Sequence, residues 1–242
     1  MLKSSAIAHD NYKLGIDMKG KILLALTFFS AGCLADEYDL HSCRNGYFPT
    51  WPGVFNQATV KADGDAKVHF YRDDEGCPGQ GNACATKPYL VAGNTVLVAQ
   101  EVPGWSCVWY SGKKHEFVGW MSTANLEKQP VHSATLAEWT GKWRAEVGDN
   151  EIHITSVGKG QLNVDGQATW YGGKDSQGYD IVHTGDLDET ITPQGNALHW
   201  GNPKEEYTCS GTAQLVNGNL IVHDSGYCGG MNVSFDNVYH KQ

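Results

Sequence analysis

The 242-residue sequence predicts an all-β protein of two small antiparallel β-barrel or sandwich modules, stapled by disulfides. Three observations predict it. Apolar and polar residues alternate with period two over many short stretches, turn dipeptides punctuate those stretches, and an even set of cysteines follows an export-type N-terminus.

Lys19 and Lys21 precede the apolar run Ile22 to Phe29, and small residues follow from Ser30 to Ala35. That order, a positive region, a short apolar core and a small-residue cleavage site, is that of a secretory signal peptide over residues 1–35. The apolar run is shorter than the roughly 20 residues a membrane-spanning helix needs, and no later segment reaches that length, so no transmembrane segment is expected. The polar stretch Met1 to Asp17 suits neither part of a signal peptide, which points to Met18 as the true start. Cleavage after Ala35 is preferred. Ala31-Gly32-Cys33 also matches the end of a bacterial lipoprotein box, with Ser30 where Leu is usual, so a lipid anchor at Cys33 is the alternative.

Removal of residues 1–35 moves the net charge from −9 to about −11. Such a field repels nucleic acid and anionic lipid and attracts cationic partners in a periplasmic or secreted location. Six cysteines remain. Spacing favours Cys77 with Cys84 and Cys209 with Cys228, which leaves Cys43 with Cys107 by elimination. Paired C-x-x-C units for zinc or redox chemistry are lacking.

Strands follow in order. Asp63-Gly64 is expected to turn Thr59-Val60-Lys61 into Val68-His69-Phe70. Glu127 to Thr135 lacks periodicity and separates two β-rich halves, giving a first module over 36–128, a linker over 129–137 and a second module over 138–242. In the second module Glu151 to Thr155 and Gln161 to Val164 alternate cleanly. Asp165-Gly166 and Asn217-Gly218 are read as type I′ hairpin turns, the latter between Gln214-Leu215-Val216 and Leu220-Ile221-Val222. No window longer than about ten residues carries a helical stripe.

The stretch from Val68-His69-Phe70-Tyr71, through Leu90-Val91-Ala92-Gly93-Asn94-Thr95-Val96 and Gly104-Trp105-Ser106-Cys107-Val108-Trp109, to Val118-Gly119-Trp120-Met121 resembles a bacterial SH3-like domain over about residues 58–126. The resemblance implies a five-stranded barrel in which the Leu-x-x-Gly-x-x-Val element is a strand pair. It also implies a module that binds peptides or cell-wall material without catalysis. The Cys77 to Cys84 insert departs from the shortest versions. Trp139 to Trp143 and Cys228 to Phe235 are similar to the ends of a small β-barrel domain that follows such modules in uncharacterised exported proteins.

Tyr71, Trp105, Trp109 and Trp120 are the candidate ligand-binding residues, since aromatic faces on several strands of one barrel could line a groove. Alternation puts Trp105, Cys107 and Trp109 on one face and Val108 and Tyr110 on the other, so part of this set is expected to pack the core. His153, His183, His199 and His223 lack local metal-ligand spacing, and no metal or cofactor is expected. Asp73-Asp74-Glu75 and Asp186 to Glu189 are read as solvated charge beside turns. No catalytic residue is assigned, because no G-x-S-x-G turn occurs and all six cysteines are better used as disulfides. The expected function is non-enzymatic binding in the bacterial cell envelope, with a peptide, peptidoglycan fragment or protein as partner. Inhibition of a cationic, lysozyme-like hydrolase, as an inhibitor or immunity protein, is the alternative. A cell-wall hydrolase using carboxylates or histidines of the second module is the third reading.

Overall fold

A computed structural model describes residues 42–51, 54–74 and 76–242. The expected signal peptide, the Met18 start and Cys33 lie outside the described residues. All described residues fall within one compact unit.

The protein is all-β, with two antiparallel sheets. The first contains β1 (Asn56–Val60), β2 (Val68–Tyr71), β3 (Ala85–Leu90), β4 (Thr95–Val102), β5 (Trp105–Ser111), β6 (Glu116–Ser122) and β7 (Leu126–Gln129), in the order β3-β2-β6-β5-β4-β1-β7. A one-turn helix, α1 (Leu136–Trp139), follows. Thr135 and Glu138 close a reciprocal capping box at its start.

The second sheet contains β8 (Gly141–Ala145), β9 (Glu151–Gly158), β10 (Gln161–Lys174), β11 (Asp180–Ile191), β12 (Ala197–Trp200), β13 (Gly211–Val216), β14 (Asn219–Asp224) and β15 (Asn237–Lys241). Its order is β11-β10-β9-β8-β15-β14-β13-β12. Read as a ring, that is chain order, so the sheet is an up-and-down meander curled until β11 comes beside β12 without ladder bonds. Its interior is filled by side chains, among them Trp139, Trp143, Leu162, Leu198, Phe235 and Tyr239.

The turn predictions divide. Asn217 and Gly218 both have positive φ and join paired β13 and β14. Asp165-Gly166 is no turn: it lies inside β10, and a Cβ on Gly166 would stand 3.0 Å from the Phe235 ring. Gly64 does turn the chain at φ +54, but β1 pairs with β4 and β7 while β2 pairs with β3 and β6. Likewise β3 and β4 flank Gly93 without being sheet neighbours, and the first sheet has seven strands. Glu127 to Gln129, expected to be irregular, belong to β7 and pair with β1.

All three disulfides join the pairs the spacing favours: Cys43–Cys107, Cys77–Cys84 and Cys209–Cys228. Such bonds suit an oxidising, extracytoplasmic compartment. Among the described residues no helix is long and apolar enough to cross a membrane.

Apolar side chains form three layers. One fills the first sheet's own concavity with Val60, Phe70, Val98, Val108 and Met121. Another fills the second barrel. The third lies between the sheets, where Leu97, Cys107, Trp109, Val118 and Trp120 meet Val216, Ile221 and Val238. The segment before β1 enters this middle layer with Cys43 and Phe55, and Phe48 packs against it. It acts as a strap: Asn45 Oδ1 accepts from Val118 N–H at 2.7 Å, and Phe55 N–H donates to Gln214 at 3.2 Å.

Candidate binding cleft

β2 meets β6 in the ladder only at Tyr71 and Trp120. Gly119 allows this approach, since a Cβ there would stand 3.2 Å from the Tyr71 carbonyl and 3.3 Å from Phe70 Cβ. Beside this contact lies a cleft of about 410 Å³, with Phe70, Tyr71, Pro88, Phe117 and Val118 as its apolar lining. That volume is of the size that takes a small ligand or a few side chains of a peptide. The strap supplies Cys43, Arg44 and Asn45 as a further wall.

Charge sits at the margins. Asp73, expected to be solvated, is buried; its Oδ2 accepts from Cys43 N–H at 3.1 Å and meets Arg44 Nε at 3.1 Å. It therefore anchors the strap. Arg72 spans Asp74 at 3.3 Å and the Ala83 carbonyl at 3.3 Å, which ties the cleft margin to the Cys77–Cys84 loop. Thr86 Oγ1 donates to the Phe70 carbonyl at 2.9 Å and fixes β3 beside the floor.

The four aromatic candidates separate into two pairs. Tyr71 lines the cleft and packs its ring 4.6 Å from that of Trp105, both half-buried. Trp109 and Trp120 are buried in the layer between the sheets. Trp109 donates its indole N–H to Glu116 within its own sheet and stacks across on His240 of the second sheet at 5.3 Å.

Where the strap crosses the second barrel, Thr50, His223, Asp224 and Asp236 form a polar cluster. Asp236 accepts from the Thr50 hydroxyl at 3.0 Å and from Asp224 N–H at 2.6 Å, and it meets His223 Nδ1 at 3.0 Å. The Asp236 hydrogen bond raises the His223 pKa above its ordinary value. Burial raises that of Asp224, against the two backbone N–H groups of Phe235 and Gly226 that favour its charged form. The set contains the residue types of a hydrolase triad but not its wiring. Thr50 Oγ1, at 3.3 Å, and Asp236 address the same ring nitrogen, whereas a relay places nucleophile and carboxylate on opposite nitrogens. The cluster is a clasp for the strap.

The remaining histidines are distributed around the barrel. His153 and His199 point outward from β9 and β12, while His183 stacks on Trp170 at 5.2 Å. Among the described residues no group of three or more His, Cys, Asp or Glu side chains is arranged to hold a metal. Asp186 to Glu189 lie within β11, not beside a turn, with Asp186 and Asp188 exposed on its outer face.

Comparison with protein-family models, with curated proteins and with solved structures finds no match to the chain.

Sequence reasoning did not find the strap, whose residues show no alternation, nor Arg72, Asp73 and Pro88 as cleft residues. The Cys77–Cys84 spacing was the available signal, because a short staple beside a strand end marks a loop held in one shape.

Proposed function

We propose that the chain is an exported, non-enzymatic binding protein of the bacterial cell envelope, which takes a short peptide or the peptide part of a cell-wall fragment in the cleft beside Tyr71. The signal-peptide pattern and the three disulfides support export. The single observation that carries the binding reading is the cleft itself: an aromatic and proline-lined concavity beside an edge strand, its walls held by two disulfides and a buried carboxylate. Rigid walls lower the ordering cost of binding, and an apolar floor with charged margins suits a peptide with alternating side chains. The resemblance to an SH3-like domain supports the same reading.

Solubilised peptidoglycan and an envelope peptide extract passed over immobilised protein test it. Wild type is expected to retain a defined fraction, and Tyr71→Ala to retain about tenfold less while still unfolding in one cooperative transition. Equal retention by both proteins, or retention by neither, removes the proposal.

A further inference from the structure

The second barrel is built unequally from end to end. At one end its strands are joined by Lys159-Gly160, by 192–196 and by Asn217-Gly218. At the other end lie 146–150, 175–179, 201–210 and 225–236, and the β10–β11 hairpin runs on to Lys174 and Asp180 past the last β9 pairing at Gln167. Short turns suffice to close a meander; Cys228, Val233 and Phe235 of the longest connection enter the barrel interior, while most of the remaining extra chain at this second end is exposed.

That chain is also rigidly framed. Cys209–Cys228 joins the two longest loops, and Ser225 bonds back to Ser210 and Thr208. Gly230 N–H donates to the Thr184 carbonyl of β11 at 3.0 Å, and Asn150 Nδ2 donates to the Ser234 carbonyl at 2.8 Å. On this frame stand exposed aromatics. Of the seven large exposed aromatic side chains among the described residues, Tyr171, Tyr179, Tyr207 and Tyr227 belong to it, and Trp51 of the strap joins it over His223 at 5.2 Å. Tyr207 is held at φ +62, a conformation costly for a bulky residue, with its ring edge-on to Tyr227 at 5.4 Å.

We infer that this loop end is a docking surface for a folded protein with a basic face. The loops combine Tyr, Ser, Gly and Asn, the residue set of rigid loop paratopes, in which tyrosine gives a large amphipathic contact for the loss of few rotamers. Its aromatics come from separate loops and the strap, an arrangement suited to a broad protein face. Glu205, Glu206 and Asp175 add negative charge on a chain whose net charge is −9, which sets the sign of the complement. None of these aromatics lines the Tyr71 cleft, so the two proposals are tested by different variants.

Calorimetric titration tests it with three probes: a basic lysozyme, basic cytochrome c and acidic ovalbumin. Saturable one-to-one binding is expected to at least one basic probe and not to ovalbumin. Tyr207→Asn with Tyr227→Ser is expected to weaken it at least about tenfold, as loss of central aromatic anchors does. Asn tolerates the positive φ, and the charge pair Glu205→Lys, Glu206→Lys gives a second readout without touching the ring pair. Tyr71→Ala is expected to change nothing. No saturable binding to either basic probe, binding that survives both double variants, or binding abolished by Tyr71→Ala overturns the inference.

Discussion

His223 illustrates how one side chain can tie a distant segment to a barrel. Its hydrogen bond to Asp236, shared with Thr50, stabilises the charged imidazolium, so its folded pKa lies above the ordinary value of about 6.5. A raised histidine pKa contributes stability that is complete below the unfolded value and lost as pH rises through the folded one. The stability gap between wild type and His223→Asn is therefore expected to be larger at pH 5 than at pH 9. Urea unfolding at the two pH values checks it; a gap that grows with pH contradicts the clasp. At this scale the sequence was informative about faces and silent about coverings. Alternation sorts Trp105, Cys107 and Trp109 from Val108 and Tyr110, and these two sets do enter different layers. It does not reveal that a second sheet covers the first set, which is why Trp109 and Trp120 serve in packing while Tyr71 alone of the four lines the cleft.

Between elements, glycine marks close approach as well as turning. Gly166 leaves room for the Phe235 ring, whereas the same Asp-Gly dipeptide read locally suggests a hairpin. Gly185 on β11 is tighter: a Cβ there would stand 2.4 Å from the Cys228 carbonyl and 2.9 Å from Gly229 Cα. Backbone cannot give way as a side chain can. Gly185→Ala is expected to lift the 225–236 loop from β11 and to cost about 1–3 kcal/mol, read as a lower urea midpoint at unchanged slope. An unchanged midpoint would mean that the loop is not seated on the strand. Asn217-Gly218 was legible because both residues take positive φ in a two-residue link, a wholly local demand. The partners of β1 and β2 were not, because they are set by contacts with β4, β6 and β7 far along the chain.

For the whole molecule the middle apolar layer is decisive. Leu97, Trp109 and Trp120 from one sheet and Val216, Ile221 and Val238 from the other exclude water together, and the Cys43–Cys107 bond lies among them. Neither sheet keeps its outer face dry alone. The protein is therefore expected to unfold in one calorimetric transition, with van't Hoff and calorimetric enthalpies equal. Trp120→Ala is expected to cost about 3–5 kcal/mol and to lower that single transition as a unit. Two separate endotherms would refute the coupling. The sequence divides the chain into two β-rich halves, but nothing local in it announces that β4 to β6 are covered on both sides.

The unequal ends of the second barrel also separate two kinds of selection. Strands and tight turns answer to packing, where a single methyl group is felt, while the long tyrosine-bearing connections are rooted in the apolar interior by Cys228, Val233 and Phe235 and carry their exposed tyrosines outside it. Residues there are free to follow a changing counterpart over generations while the scaffold that carries them stays as it is.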